Sequence, residues 1–347
     1  MCTGIRLECS NGYVAGRTCE FGFILEYDAL FLPVGTQCSA VISPTSTGKA
    51  WTSTHAVLGA ATFGAMAIMD GVNDAGLMAG AFYFAGQAQY ADVAQVDLSR
   101  ALNPSELTHY ILTTCETIDQ ALAAIADITV VGVPVQGWGP AAPPLHYQII
   151  DAQGRHVAVE PTQAGSLQIT ENPTGAFTNS PDLPFHLLNL TQYMNVSPET
   201  VQQSDVFGTT VTATGMGSGG LGLPGDYSPP SRFVRAAFFG ANHPTPNTTI
   251  DGVQELFHLL NVFDIPMGAA RVGDTSDFTQ MTVVRDAGEL TYAWRTYADQ
   301  RIRQVNMKEL MELAKEPVRF VITPVTGDLS TIDDVTGQLV DSPITAT

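Results

Sequence analysis

The sequence predicts an α+β protein in which two antiparallel sheets lie between helix layers. Strand patterns come first along the chain, followed by helices, strands, helices and strands again, an order that suits two packed sheets with helices outside them. The composition agrees, because 45% of the 347 residues are hydrophobic and only 14% are charged. A chain of this composition is expected to bury a sizeable core.

The predicted domain organisation is simple. The length permits two average domains, but the chain carries neither a low-complexity linker nor an internal repeat. We therefore expect one domain over residues 1–347. From about Val325 the chain becomes a polar tail, which we expect to be loosely ordered.

The first predicted element is a β-hairpin at Asn11-Gly12, a dipeptide that favours two-residue turns. With such a turn Cys2 lies opposite Phe21, and Arg17 lies on the same face as Cys2. Arg17 is thus a candidate partner of the Cys2 thiol. Glu20 falls on the other face in this register, so a direct role for Glu20 needs a bulge or bend just after Phe21.

The middle of the chain combines buried strands with capped helices. Two nearly continuous apolar segments, residues 65–69 and 77–84, flank a polar turn at Asp70–Gly76 and suit a sheet that is buried on both faces. Helix starts follow at Asn103 and Thr117, each with a capping side chain and an acidic or amide residue three positions later.

The remaining elements are predicted from hydrophobic periodicity and turn residues. The predicted strands are 145–150, 156–159, 281–284 and 290–297, and the predicted helices begin near Ser231, Asp251 and Met307. Two polar residues in this part of the chain have ordinary structural explanations. Asn179 ends a strand that begins at Ala176, and a buried amide there usually caps a turn and only sometimes donates to an oxyanion. Arg232 is by default a solvated surface residue.

The charge of the chain excludes several classes of partner. Its net charge is −19, from 34 acidic against 15 basic residues. Such a field repels phosphate backbones and anionic lipid surfaces, so we expect neither nucleic-acid nor membrane binding. The sequence shows no apolar stretch of about 20 residues and no secretory signal pattern, and we expect a cytoplasmic protein.

The cysteines and glycines suggest no bound group. The five cysteines include no CxxC pair and no histidine pairing at metal-ligand spacing, so we expect no disulfide framework, no metal and no cofactor. The glycine-rich segment at residues 215–220 matches the dinucleotide pattern GxGxxG by letter. No helix pattern follows this segment to receive a pyrophosphate. The glycine-rich loop is the one feature that supports the hypothesis of a nucleotide-dependent enzyme.

The first residues suggest nucleophilic chemistry. Removal of Met1 would make Cys2 the N-terminus and would place a nucleophile and a base on one residue, because a free α-amine has a pKa of about 7.7 to 8.0. A cysteine at position 2 can also be an incidental buried thiol, which is the commoner role of cysteine. The decision between these alternatives depends on the motifs elsewhere in the chain.

Seven motifs occur in order along nearly the whole chain: Met1–Gly4, Arg17–Glu20, Gly71–Leu77, Leu145–Tyr147, Thr178–Pro181, Gly222–Asp226 and Ser231–Phe233. Together they resemble the choloylglycine hydrolase family of N-terminal nucleophile (Ntn) amidases, which includes penicillin V acylases and conjugated bile salt hydrolases. The resemblance implies a four-layer αββα fold, usually in a homotetramer. It also implies hydrolysis of a small-molecule amide with an apolar acyl group through a thioester intermediate.

The resemblance further implies the roles of individual residues. Cys2 is the nucleophile and, through its own amine, the base. Asn179 and the backbone N–H of Tyr83 form the oxyanion hole. Arg17 and Arg232 stabilise charge around the thiol and orient the acid that fixes the amine.

Two positions bear on activity and substrate. The acid of the family motif is aspartate, whereas this chain has Glu20, whose extra methylene moves the carboxylate by ~1.5 Å. This departure keeps a non-catalytic acyl-amide-binding protein as an alternative. Bile salt hydrolases tend to carry asparagine at the position of Tyr83, and an aromatic residue there suits a phenoxyacetyl group. The sequence therefore favours penicillin V as substrate, with conjugated bile salts and N-acyl-homoserine lactones as alternatives.

Overall fold

The computed structural model describes residues 1–322 of the chain. The tail predicted from about Val325 lies outside these residues. The strands are β1 (Cys2–Cys9), β2 (Gly12–Phe21), β3 (Tyr27–Leu32), β4 (Gln37–Ser43), β5 (Ser46–Thr52), β6 (Val57–Thr62), β7 (Ile68–Asn73), β8 (Met78–Tyr83), β9 (Ala101–Leu102), β10 (Thr129–Val130), β11 (Leu145–Ile150), β12 (His156–Gln163), β13 (Ser166–Glu171), β14 (Ala176–Phe177), β15 (Gln203–Val206), β16 (Thr209–Thr212), β17 (Ala270–Val272), β18 (Thr275–Asp286), β19 (Thr291–Thr296), β20 (Arg303–Asn306) and β21 (Val318–Ile322). The helices are α1 (Leu107–Thr114), α2 (Ile118–Ala126), α3 (Leu183–Asn189), α4 (Pro229–Asn242), α5 (Thr249–Asn261) and α6 (Met307–Leu313).

Two large antiparallel sheets form the centre of the fold. In the first sheet the strands follow the order β14-β1-β2-β18-β19-β20, with β17 paired to β18. In the second sheet the order is β13-β12-β11-β8-β7-β6-β3-β21. Each sheet therefore joins strands from distant parts of the chain, and β1 lies between β2 and the short strand β14.

The sheets pack face to face, and helices cover their outer faces. The core between the sheets combines residues of both, including Ala15, Phe31, Met281 and Trp294. Helices α4 and α5 pack on the first sheet, against β1 and β2, and α1 packs on the second sheet, against β7 and β8. These layers confirm the predicted α+β sandwich. Among the helices of residues 1–322, none combines the length and the apolar character that crossing a membrane requires.

The first hairpin forms as predicted but in a different register. Cys2 pairs with Cys19 and Gly4 with Arg17, so the predicted pairing of Cys2 with Phe21 is wrong by two residues. The turn occupies residues 10–11, because Cys9 already pairs with Gly12. A shift of two residues preserves the face of every side chain. Arg17 is therefore still on the same face as Cys2, and that part of the prediction is confirmed.

The predicted turn at Asp70–Gly76 begins too early. Asp70 lies inside β7, and the turn follows Asn73. The Asn73 side chain fixes this position, because its Oδ1 accepts hydrogen bonds from the backbone N–H groups of Ala75 and Leu77. The consequence is a buried carboxylate in the middle of β7.

The predicted helix starts at Asn103 and Thr117 are confirmed. Asn103 caps a short 3₁₀ turn that leads into α1, and the Thr117 hydroxyl caps α2. Strands β3 to β6 have no counterpart in the sequence-based prediction. Helix α4 begins at Pro229, two residues before the predicted start at Ser231.

Candidate active site

Cys2 begins β1 and lies in the interface between the two sheets. Its side chain is 1% exposed. Arg17, on the neighbouring strand β2, places Nη2 2.6 Å from Cys2 Sγ, and its guanidinium stacks 3.8 Å from the centre of the Phe82 ring. A buried cation therefore contacts the thiol directly.

The surroundings of Cys2 favour its thiolate. Burial alone would raise the pKa of this thiol, but a hydrogen bond with the Cys19 thiol, the Arg17 charge, the chain N-terminus and the Tyr83 backbone N–H together hold the pKa well below its usual value. The hydrogen bond to Cys2 and burial raise the pKa of Cys19. Of the two adjacent sulfurs, Cys2 is thus the one that carries the negative charge.

Asn179 connects three parts of the site through its side-chain amide. Its Oδ1 accepts hydrogen bonds from the backbone N of Cys2 at 2.7 Å and from Arg232 Nη2 at 2.7 Å. Its Nδ2 donates to the backbone oxygen of Tyr83 at 2.7 Å. An amide NH₂ group has two hydrogens, so Nδ2 retains one donor for another acceptor.

Two buried histidines hold the backbone that carries Asn179. His146 contacts the oxygen of Thr178 through Nε2 at 3.0 Å, and Glu160 through Nδ1 at 2.9 Å. His186 contacts the oxygen of Asn179 through Nε2 at 2.8 Å. These contacts fix where the Asn179 amide points.

Arg232 is fully buried, so the default expectation of a solvated surface residue is wrong. Arg232 lies in the first turn of α4, next to the start of β1. Its Nη1 donates to the Thr3 hydroxyl at 2.7 Å and to the Cys2 carbonyl. Together with its bond to Asn179, these contacts leave Arg232 fixed on three sides. The signal that could have indicated this burial is the Ser-Arg-Phe motif, which only the resemblance singled out.

Glu20 is buried on the opposite face of β2 from Arg17. Its Oε1 accepts a hydrogen bond from the Thr279 hydroxyl at 2.8 Å. Burial, followed by the nearby Cys2 charge, raises its pKa to about 7, although the chain N-terminus and Arg232 oppose this shift. The bend predicted just after Phe21 is present at Gly22 and Phe23. The neighbouring strand β18 is also irregular here, because its register shifts between Thr279 and Met281.

Asp70, which the sequence placed in a turn, is part of this site. Its Oδ2 lies 3.2 Å from Arg285 Nη1 and 3.7 Å from Arg17 Nη1. Gly80 on the adjacent strand makes room, since a Cβ there would lie 2.6 Å from the same oxygen. Burial raises the pKa of Asp70, whereas the two arginines oppose that shift. Asp70 is therefore the carboxylate that sits between two buried cations.

Replacing Asp70 with asparagine is expected to lower the free energy of unfolding by about 3–5 kcal/mol. Two buried guanidinium groups would then lack their shared counter-charge, and removing one partner of a buried ion pair typically has this cost. Urea unfolding followed by circular dichroism measures the change. As a control, Asp119→Asn breaks an exposed pair with Arg155 and should change stability by less than about 1 kcal/mol. Equal effects of the two substitutions would contradict this role of Asp70.

The space beside Cys2 is small and bordered by aromatic rings. The cavity there has a volume of about 30 Å³ and is lined by Cys2, Cys19, Phe21, Tyr83 and Trp138, among others. Trp138 lies edge-on to Phe21, with ring centres 5.3 Å apart, and Phe21 makes a similar contact with Tyr83 at 5.4 Å. This volume holds a water molecule but no acyl group, so a substrate must displace these rings. A wider groove of about 490 Å³ against α4 includes none of the six predicted site residues.

The structure brings five of the six predicted site residues into one network around Cys2: Cys2, Arg17, Tyr83, Asn179 and Arg232. Glu20 stands beside this network without a hydrogen bond to it. Sequence reasoning missed Asp70, Arg285 and the two histidines as contributors. Within residues 1–322, no group of three or more His, Cys, Asp or Glu side chains is arranged to hold a metal ion.

Comparison with known proteins identifies the family. Residues 2–320 match the family described as linear amide C–N hydrolases, choloylglycine hydrolase family. The chain belongs to the choloylglycine hydrolase family. It is therefore a hydrolase of linear amide C–N bonds with the Ntn-hydrolase fold.

Several relatives of this choloylglycine hydrolase family member cover most of the chain. An uncharacterized protein of Paramecium bursaria Chlorella virus 1 is 30% identical over 88% of this chain and 100% of its own. A bile salt hydrolase/transferase of Clostridium perfringens is 29% identical over 89% of this chain and 93% of its own.

Solved structures show the same fold. A mutant conjugated bile acid hydrolase from Clostridium perfringens superposes with a TM-score of 0.84 at 26% identity, covering 97% of this chain and 100% of that protein. Penicillin V acylase from Agrobacterium tumefaciens superposes with a TM-score of 0.74 at 18% identity, covering 92% and 90%. The second likeness concerns the fold alone.

Proposed function

We propose that the protein is an N-terminal cysteine amidohydrolase that cleaves the amide bond of conjugated bile acids through a thioester. The observation that carries the proposal is the 2.6 Å contact between Arg17 Nη2 and a buried Cys2 Sγ, with Asn179 bonded to the Cys2 backbone nitrogen. The substrate class rests on the relatives, several of which are named bile salt hydrolases. This support outweighs the preference for penicillin V drawn from Tyr83.

Removal of Met1 precedes catalysis. In the Met1-bearing chain the Cys2 nitrogen is an amide that donates to Asn179 Oδ1, so it has no lone pair available as a base. Hydrolysis of the Met1–Cys2 bond converts it into an amine with an ordinary pKa of about 7.7 to 8.0. This amine takes up the proton that the Cys2 thiol releases on ionising, directly or through one water, and the resulting thiolate attacks the substrate carbonyl.

The attack moves charge onto the carbonyl oxygen, where two donors are available. One is the second hydrogen of Asn179 Nδ2, and the other is the Tyr83 backbone N–H, which already points at the Cys2 sulfur. The amine returns its proton to the leaving nitrogen of glycine or taurine as the C–N bond breaks. Water then attacks the thioester on the same path, which releases the acyl group as a carboxylic acid and restores the thiol.

The two arginines have different roles in this scheme. Arg17 keeps the sulfur ionised, because its charge lies against Sγ and is anchored by Asp70. Arg232 orients the Asn179 amide and the Cys2 carbonyl, so it fixes the end of β1 on which both nucleophile and base depend. Glu20 holds the new ammonium group once the amine has taken up a proton.

The role of Glu20 is tested by two substitutions. Glu20→Gln should lower kcat/KM by about 10²-fold, since a poorly held catalytic group has this effect. It should also move the acid limb of the pH profile to lower pH, because a carboxylate raises the pKa of a neighbouring ammonium. Glu20→Asp keeps the charge and should stay within about tenfold of the wild type. If the acid limb does not move in Glu20→Gln, Glu20 does not contact the amine.

Penicillin V remains a second candidate substrate because of the aromatic rings beside Cys2. Phe21, Tyr83 and Trp138 pack edge to face at the place an acyl group must enter. A planar phenoxyacetyl group fits such a slot with less displacement than a steroid. Three other expectations stay predictions: an N-acyl-homoserine lactone as substrate, a non-catalytic function in acyl-amide binding, and assembly into a homotetramer.

Parallel hydrolysis of four substrates decides among these activities. Glycocholate, taurocholate, penicillin V and a long-chain acyl-homoserine lactone are compared by kcat/KM with processed protein. We expect the two bile salts to be cleaved most efficiently. Higher kcat/KM on penicillin V would move the assignment to the acylase branch, and binding of all four without turnover would support the non-catalytic alternative.

A further inference from the structure

Cys19 is placed directly across from Cys2 in the first sheet. The two residues are register partners on β1 and β2. The neighbouring pair of residues is Met1 and Glu20. These two residues exchange backbone hydrogen bonds, because Glu20 N donates to Met1 O and Met1 N donates to Glu20 O. In an antiparallel ladder the next pair is then a non-hydrogen-bonded one, whose side chains approach most closely. The Cys2 backbone N agrees, since it donates to Asn179 and not across the ladder.

This placement satisfies the geometry of a disulfide. The Cα atoms of a non-hydrogen-bonded pair are about 4.5 Å apart, within the range of about 4.4–6.8 Å that disulfides span. Both side chains line the same cavity beside Arg17, and the two thiols are hydrogen-bonded to each other. A disulfide at this pair needs no change in strand register.

The two sulfurs also differ in the way that disulfide formation requires. Arg17 stabilises the Cys2 thiolate, which is the form that reacts with oxidants. Cys19 keeps its proton and lies in position to react next. The other three cysteines are not so placed. Cys9 packs in the core beneath α5, Cys115 packs in the core beside α1, and Cys38 lies on β4, outside the two large sheets.

We propose that Cys2 and Cys19 form a reversible disulfide that switches the enzyme off when a hydroperoxide is present. The Cys2 thiolate attacks one peroxide oxygen, the O–O bond breaks, and Cys2 sulfenic acid and hydroxide form. The Cys19 sulfur then attacks the Cys2 sulfur, the S–O bond breaks, and hydroxide leaves with the Cys19 proton as water. The hydroxide from the first step takes up the proton that Cys2 released on ionising and becomes water. In total the two sulfurs lose two electrons, and hydrogen peroxide is reduced to two molecules of water.

The inhibitory consequence rests on the proposed function, because a disulfide removes the nucleophile. The bond itself does not depend on the substrate. The disulfide also protects Cys2. A sulfenic acid without a neighbouring thiol can be oxidised further to a sulfinic acid, and that step is irreversible. Cys19 is thus assigned as the resolving thiol of the site.

The experiment treats processed wild-type protein with hydrogen peroxide and reads out mass, peptides and activity. Intact mass should fall by two hydrogen atoms, and a non-reducing digest should join the Cys2 and Cys19 peptides. Activity on glycocholate, normalised to each protein's own starting value, should be lost and then regained with dithiothreitol. In Cys19→Ala, Cys2 should instead gain two oxygen atoms, and dithiothreitol should not restore activity. Cys115→Ala, which removes a buried thiol elsewhere, should behave like wild type.

The outcomes separate the two proposals. A wild-type Cys2 that is oxidised to sulfinic acid, joined to another cysteine or left unreacted would overturn the resolving role of Cys19, and the wild-type digest alone shows this if Cys19→Ala fails to fold. A Cys2–Cys19 peptide in a protein that cleaves no amide would support the disulfide and refute the proposed function.

Discussion

Replacing Cys2 with alanine is expected to reduce glycocholate hydrolysis by about 10⁶-fold. The substitution removes the sulfur that forms the thioester, and loss of a hydrolase nucleophile can cost about 10⁶-fold in kcat. Release of glycine, followed by an amine-reactive dye, measures the rate. The fold should persist, because the substitution removes one small buried side chain.

A matched cysteine shows whether the loss is chemical. Cys115 is also buried, at 2% exposure, but it packs beside α1 in a different core. Cys115→Ala should therefore keep kcat within about threefold of wild type despite a similar loss of buried volume. Retention of wild-type activity in Cys2→Ala, or equal losses in the two variants, would contradict the assignment of Cys2.

Replacing Asn179 with alanine is expected to lower kcat by about 10²–10³-fold with a smaller change in KM, the usual cost of one oxyanion-hole donor. The same change frees the Cys2 backbone N and Arg232 from their shared acceptor. Steady-state kinetics with glycocholate separates kcat from KM. The neighbouring Ser180→Ala removes an exposed hydrogen bond to the Ala85 oxygen and should leave kcat nearly unchanged. A kcat within fivefold of wild type in Asn179→Ala would exclude it as a donor, since such a loss lies well below about 10²-fold.

The hairpin shows what short-range reasoning can predict. Asn11-Gly12 correctly indicated two antiparallel strands, and the common face of Cys2 and Arg17 followed from the two-residue period of a strand. The register was wrong because the turn shifted to residues 10–11. The predicted face of Arg17 was still right because the register differed by an even number of residues. A difference of one residue would have placed Cys2 and Arg17 on opposite faces of the sheet.

Contacts between distant strands could not be predicted in this way. Asp70 on β7 and Arg285 on β18 belong to different sheets and meet only when the sheets pack. A charged residue at the end of the apolar segment 65–69 was visible in the sequence, but its position suggested a turn. Glu20 depends on β18 too, since the Thr279 hydroxyl that binds it lies at the register shift of that strand.

The family motifs supplied what periodicity did not. Arg232 and Asn179 have ordinary explanations as a surface cation and a turn cap when each is considered alone. Their 2.7 Å contact joins the first turn of α4 to the end of β14, across more than 50 residues of sequence. Such a pairing is encoded in the tertiary packing, and only several motifs taken together indicated it.

The most direct test of the central claim is the identity of the N-terminal residue in active protein. A preparation that retains Met1 is treated with methionine aminopeptidase, and the fraction of N-terminal peptide that begins at Cys2 is measured by mass spectrometry alongside glycocholate hydrolysis. The proposed mechanism predicts that activity rises in proportion to the processed fraction and is absent before treatment. Full activity in protein whose N-terminal peptide still begins with Met1 would contradict it.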